Sequence, residues 1–198
     1  ATGLDALVSV RAEQQVVIDE GVTRTRTRLN YQISRAELSE LEIEVPADQR
    51  VVNVADPNLR QWNVQSDGER QTIAVGLFQP ARDQQSILIE LEKFQQEDSE
   101  IATVPTVQAQ GVGRQRGVVL VRLAEGLRGE PIRRNGLSQV DQEEVPASLR
   151  EQRWAYSYRY ATLPFDLALK VQKIEPRIHV DHLAEAFLEP QGLTLDLF

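Results

Sequence analysis

The sequence predicts an all-β protein: an antiparallel β-sandwich, or two sandwich units packed together or in tandem, with very little helix. Three observations lead there. Apolar and polar residues alternate with period two through most of the chain, turn residues punctuate the alternating stretches at regular intervals, and almost nothing carries helical periodicity. At 198 residues, 41% hydrophobic and 26% charged, the chain has an ordinary globular composition and can hold one large domain or two small ones.

The longest alternating stretch is Val22 to Ser34. It sets Thr23, Thr25, Thr27, Leu29, Tyr31 and Ile33 on one face and Arg24, Arg26, Arg28, Asn30 and Gln32 on the other. A short connection, Ser34 to Ser39, leads to Glu40 to Val45, where Leu41, Ile43 and Val45 alternate with Glu40, Glu42 and Glu44. A helical turn through Arg35 to Leu41 is the competing reading. If the two stretches pair as neighbours, Arg24, Arg26 and Arg28 lie across from Glu40, Glu42 and Glu44 as a structural charge ladder. Each pair would contribute about 0.2–1 kcal/mol and help to fix register. Further strands are expected at Val51 to Val54, Leu59 to Val64, Thr72 to Leu77 and Ser86 to Phe94. They are separated by Asp56-Pro57-Asn58, Ser66-Asp67-Gly68 and Pro80 to Gln84.

The polar, Pro105-containing stretch Gln95 to Gln110 is the expected internal boundary, either a linker or a sheet-to-sheet crossover. It divides an acidic half, residues 1–98, from a second β-rich half, residues 99–198. In the second half the strands expected are Gly117 to Leu123, Trp154 to Ala161, Phe165 to Lys173, Arg177 to Leu183 and Leu193 to Phe198. Between the first two lies a long irregular loop, Ala124 to Ser148. Pro146 to Gln152 and His182 to Leu188 are the two helical candidates. Leu41, Ile43, Val45, Val52 and Val54 recur as Leu167, Leu169, Val171, Ile178 and Val180, which suggests a tandem repeat. The C-terminal strand would then begin a further unit. The start at Ala1 and the absence of Met suggest a piece of a longer protein.

Composition excludes several chemistries. With no Cys and two His, there is no material for a disulfide framework, a thiol nucleophile or a cysteine zinc site. No cofactor is expected. The net charge of −8 argues against nucleic acid, and all of it falls in residues 1–100, since residues 101–198 balance. No apolar run approaches the roughly 20 residues of a membrane helix. Arginine supplies 19 of the 22 basic residues, which suits bidentate pairing with carboxylates.

The most specific candidate site is an aromatic strip. Trp154, Tyr156, Tyr158 and Tyr160 share one parity and alternate with Ala155, Ser157, Arg159 and Ala161. Exposed, the strip is a platform for sugar rings or a proline-rich peptide; buried, it is the core of the second half. Burial is favoured, because the opposite face holds an arginine and small residues. His179 and His182 would point to opposite faces of a strand, so they make no metal pair. Gly111-Val112-Gly113-Arg114-Gln115-Arg116-Gly117 lacks the strand and helix of a dinucleotide fingerprint. It reads as a turn or bulge, where Arg114 and Arg116 would suit an anion. Glu143 and Glu144 alone do not make a glycosidase pair.

Tyr31 to Ile33, Leu41-Glu42-Ile43-Glu44-Val45-Pro46, Val51 to Val54, Trp62-Asn63-Val64 and Leu88 to Glu92 follow a recurring Y-x-I, L-x-I-x-V-P, W-x-V rhythm. In this the chain resembles the repeated β-sandwich modules of large bacterial cell-envelope proteins, over roughly residues 20–180. The resemblance implies a non-catalytic structural or interaction module of a larger envelope or extracellular protein. Its partners would be a protein or glycan and neighbouring modules of the same chain, with no membrane insertion. A carbohydrate-binding sandwich using the aromatic strip is the alternative. A hydrolase with its site in the 124–148 loop comes third.

Overall fold

The computed structural model describes residues 7–95, 99–174, 184–189 and 192–197, and among them the fold is all-β. Strand β1 (Leu7–Asp19) turns at Gly21, φ +75°, into β2 (Val22–Pro46). There follow β3 (Arg50–Ala55), β4 (Leu59–Asp67), β5 (Arg70–Phe94), β6 (Ile101–Thr103), β7 (Gln108–Ala109) and β8 (Arg114–Leu123). Then come β9 (Leu127–Asn135), β10 (Ser138–Gln139), β11 (Tyr156–Tyr160), β12 (Asp166–Lys173), β13 (Ala184–Glu189) and β14 (Gly192–Leu197). Nine strands form the main sheet in the order β10-β11-β8-β1-β2-β5-β3, with β4 added to β5 and β7 to β2. A second sheet, β6-β12-β9, covers one face of it, and β13 and β14 form a separate hairpin.

The core lies between the two sheets. Val16, Leu29, Ile43, Ile73 and Ile89 from the main sheet form one buried cluster with Ala102, Leu167 and Leu169 from the small one. Every inward position of β2 from Thr23 to Ile33 is buried, as the alternation requires. Three of these are threonines, which are half-apolar and β-branched and so fit a pleated surface. The Oγ1 atoms of Thr25 and Thr27 have no hydrogen-bond partner, and neither does the Tyr31 hydroxyl. A buried hydroxyl without a partner is a net cost. Thr27→Val should therefore raise stability by about 1 kcal/mol, read as a melting temperature about 2–4 °C higher. A lower melting temperature would show that the hydroxyl does have a partner.

The structure departs from the sequence expectations in instructive places. Ser34–Ser39 and Pro80–Gln84, expected as connections, lie inside two 25-residue strands that pair along their length. Arg35 (φ 69°) and Asp83 (φ 61°) take left-handed backbone there, and the register shifts between Ile33 and Leu38. Turn-like residues mark a bulge in a continuing ladder, and the local sequence does not separate the two cases. Strand β1 was not expected, because Gln14 breaks the apolar row Val8, Val10, Ala12, Val16, Ile18. The structure buries Gln14 and satisfies it by donation to the Pro105 carbonyl at 2.8 Å.

Within the 124–148 stretch, β9 pairs with β12 as an edge strand, and Pro131 sits where the register shifts, a position that tolerates a missing N–H. Pro146 precedes only a short 3-10 turn, Ala147–Leu149. Ala184–Glu189, which overlaps the second helical candidate His182 to Leu188, is strand. The expected boundary falls between β5 and β6. Strands from both sides of it share the main sheet, and within the stretch β6 joins the small sheet and β7 the main one. Strand β8 runs parallel to β1 in an otherwise antiparallel main sheet. In the suggested repeat, Leu41, Ile43 and Val45 belong to β2, in the main sheet, whereas Leu167, Leu169 and Val171 belong to β12, in the small one. Ile178 and Val180 lie outside the described residues, as do His179, His182 and all of Arg177 to Leu183.

Candidate functional site

The aromatic strip divides. Tyr156, Tyr158 and Tyr160 of β11 lie opposite Val121, Val119 and Gly117 of β8. Tyr158 and Tyr160 are each 3% exposed and belong to the core. Tyr160 packs its ring 5.3 Å from that of Phe165 and accepts a hydrogen bond from Gln115 Nε2 at 3.0 Å. Tyr156 stacks on Tyr158 at 6.2 Å and donates its hydroxyl to the Gly129 carbonyl, while Arg134 lies over the Tyr158 ring. Trp154 precedes the strand and does not join them. It packs with Leu120, Val145 and Leu149 in a second, small cluster and donates Nε1–H to the Leu149 carbonyl at 2.8 Å.

Burial raises the Tyr160 phenol to about 12 despite its bond from Gln115, and raises Tyr31 and Tyr158 as well. A phenol raised in the folded state is neutral in both states below pH 10. Above that the unfolded chain ionises first. Stability should accordingly be flat to about pH 10 and fall from there to about pH 12, with Tyr160→Phe reducing the slope. An alkaline limb identical in Tyr160→Phe, measured by urea titration at each pH, would contradict this.

The charge ladder is built with different partners from those expected. Arg24, Arg26 and Arg28 lie on the same strand as Glu40, Glu42 and Glu44, so the two rows cannot face each other across a ladder. Strand β5 supplies the carboxylates instead: Arg24 Nε lies 3.2 Å from Glu92 and Arg26 Nε 3.4 Å from Glu90. Arg24 also reaches Asp19 at 3.7 Å. Glu44 pairs with Arg70, whereas Glu40 and Glu42 stand opposite Gly76 and Ala74. Such exposed pairs are each worth about 0.2–1 kcal/mol at most.

The pairing registers place five cross-strand rows on the face turned away from the small sheet. Moving along β1 from Ser9 to Val17, each outward residue has neighbours on β2, β5 and β8. Ser9 stands with Gln32, Gln84 and Arg114, and Arg11 with Asn30, Ser86 and Arg116. Glu13 stands with Arg28, Leu88 and Val118, and Val17 with Arg24, Glu92 and Arg122. Between these rows, Gln15 stands with Arg26, Glu90 and Leu120. Leu120 is fully buried, because Val145, Leu149 and Trp154 cover it from the 140–154 segment. That segment forms a wall beside the face.

Three cavities of about 540, 480 and 570 Å³ lie along this face. The first and second share Glu13 and Asn30, and the second and third share Gln15, Arg26 and Gln152, so they form one groove. From Ser9 to Val17 it runs roughly 27 Å at the usual rise per residue. At the Val17 end Arg24 and Arg26 are paired with Glu92 and Glu90, which leaves Arg122 as the one lining arginine there without an ion pair among the described residues. The Ser9 end differs: among the described residues Arg11, Arg28, Arg114 and Arg116 make no ion pair. Sequence reading singled out Arg114 and Arg116 but missed Arg11, whose place beside Arg116 depends on the parallel pairing of β1 with β8.

Glu143 and Glu144 lie in a 3-10 turn of the expected loop, and Glu144 pairs with Arg159 at 3.0 Å. Among the described residues no group of three or more His, Asp or Glu side chains is arranged to hold a metal ion. No described helix is long and apolar enough to cross a membrane.

No family model and no curated protein matches this sequence. Among solved structures, the chain is similar to M1 zinc metallopeptidases. One, from Deinococcus radiodurans with a bound Tyr-Ser-Ala substrate, is 9% identical with a TM-score of 0.49, over 95% of this chain and 46% of that one. A two-domain M1 enzyme bound to L-tryptophan gives 9% and 0.47, over the same shares. Another structure of the Deinococcus radiodurans enzyme gives 10% and 0.46, over 82% and 42%. The likeness is slight, and this chain spans less than half of each of those proteins.

Proposed function

We propose that this chain is a non-catalytic structural and interaction module of a larger envelope or extracellular protein, and that its working surface is the polar outer face of the main sheet. The observation that carries this reading is the asymmetry of that sheet. One face is committed to a single core with the small sheet, and the other presents a continuous charged groove that does nothing for the core. A carbohydrate platform on the aromatic strip loses its footing, because Tyr158 and Tyr160 are inside.

Two measurements test the proposal. Protease shaving of intact source cells should release peptides from residues 1–198; release only after lysis would remove the envelope assignment. The purified chain should turn over no peptide, ester or glycoside substrate. Turnover abolished by substitutions in the groove would overturn the non-catalytic reading.

A further inference from the structure

The proposed module leaves open what its outer face holds, and the Ser9 end of the groove is the part with chemistry to spare. The cavity of about 540 Å³ there is lined by the arginines Arg11, Arg114 and Arg116. It also carries the amides of Asn30, Gln32 and Gln84 and the hydroxyls of Ser9 and Ser86. Glu13 is the one carboxylate lining it among the described residues, and Arg28 stands across the strand pair from Glu13. This end therefore carries an excess of positive charge in a chain whose net charge is −8.

That concentration is expensive to keep without a counter-ion. Arg11 and Arg116 are side by side across the parallel β1–β8 pair, and Arg114 is two residues away on the same face. Like charges directly opposite each other on a sheet are destabilising. The other end of the same face shows the alternative, since there Arg24 and Arg26 are paired with the β5 carboxylates Glu92 and Glu90. The polar groups around the three arginines are also partly committed in a useful sense: Ser86 Oγ donates to Asn30 Oδ1 at 3.0 Å, which leaves the Asn30 NH₂ as a donor.

We infer that this end of the groove binds an acidic polysaccharide, with Arg11, Arg114 and Arg116 on its carboxylate or sulfate groups and Asn30, Gln32, Gln84 and Ser9 on its hydroxyls. The inference rests on the module reading above and gives its partner a chemical class. Guanidinium groups recognise carboxylate and sulfate through paired N–H donors. Carboxamides and serine hydroxyls donate and accept together, which suits sugar hydroxyls. An acidic peptide is the poorer match, because a peptide binding to a sheet gains most from unpaired strand edges or apolar side-chain pockets. Here β1 and β2 are paired on both sides, β8 is paired with β1 throughout and with β11 from Gly117 on, and most of the lining side chains are polar or charged.

The test is calorimetric titration of the whole chain with oligogalacturonate, with neutral malto-oligosaccharide of similar length, with inorganic sulfate and with poly-glutamate. Oligogalacturonate should bind and the neutral oligomer should not, and affinity should fall at least tenfold in R114Q/R116Q and again when R11Q is added. The same substitutions should leave the melting temperature within about 2 °C or raise it, because they remove exposed like charges. E13Q should strengthen binding. Affinity for poly-glutamate equal to or above that for oligogalacturonate would overturn the glycan assignment in favour of an acidic protein, and binding to sulfate as tight as to the oligomer would reduce the site to a simple anion site. No binding of oligogalacturonate, or binding indifferent to the three arginines, would remove the inference while leaving the module reading in place. Cleavage of the oligomer would instead overturn the module reading.

Discussion

Tyr160→Ala should destabilise the chain by about 3–5 kcal/mol, the range for removing a buried aromatic side chain. The residue is 3% exposed, its ring lies against Phe165, and its hydroxyl is bonded to Gln115, which also donates to the Val107 carbonyl and accepts from the Ala109 N–H. Truncation therefore opens a cavity and removes one partner from a buried amide. Tyr160→Phe keeps the packing and should cost about 1–2 kcal/mol. The pair of variants, compared by urea midpoint, separates core from platform. A surface aromatic would give less than about 0.5 kcal/mol for either change.

Gly117→Val should be destabilising by at least about 1–3 kcal/mol, against the direction that strand propensity alone predicts. Gly117 stands opposite Ala12 across the parallel β1–β8 pair. A Cβ at that position would fall on the Ala12 carbonyl oxygen and 2.9 Å from the Ala12 Cβ. The clash is with backbone, so no rotamer relieves it, and the two strands must separate where Arg11 and Arg116 line the groove. An unchanged or higher urea midpoint would show that β8 does not approach β1 this closely.

What the sequence revealed about this fold follows from how locally each feature is encoded. The period-two rows in β2, β5 and β8 were legible because each residue's face is set by its immediate neighbours. Strand β1 was not, since Gln14 occupies a core position that only the distant Pro105 carbonyl makes tolerable. The two long strands were read as four, because the alternation lapses at Ser34 to Ser39 and turn residues occupy Pro80 to Gln84, and only the partner strand shows that the ladder continues. Pairing is the least local property of all. Arginines at 24 and 26 face glutamates at 92 and 90 rather than the nearby glutamate row, and nothing in the spacing of either row says so.

The same reasoning applies to the groove. Arg114 and Arg116 could be suspected of anion binding from their glycine-rich setting, but Arg11 joins them only through a parallel strand pair about 105 positions away in sequence. The aromatic strip was the opposite case: its parity was correct for Tyr156, Tyr158 and Tyr160, and the position of Trp154 just outside β11 sent that ring to the other cluster.

The central claim is that both halves of the chain form one body with one continuous outer face. The two tryptophans give a direct reading of it, because Trp62 belongs to β4 in the first half and Trp154 to the covering segment in the second. Urea unfolding followed by fluorescence in Trp62→Phe and in Trp154→Phe reports each half separately. After correction for each variant's overall stability by circular dichroism, the two fluorescence transitions should coincide with the loss of β structure in midpoint and slope, as a single cooperative unit requires. A Trp154 transition separated from that of Trp62 would mean that β8 and β11 unfold apart from β1 and β2, and would contradict the shared sheet on which the groove depends.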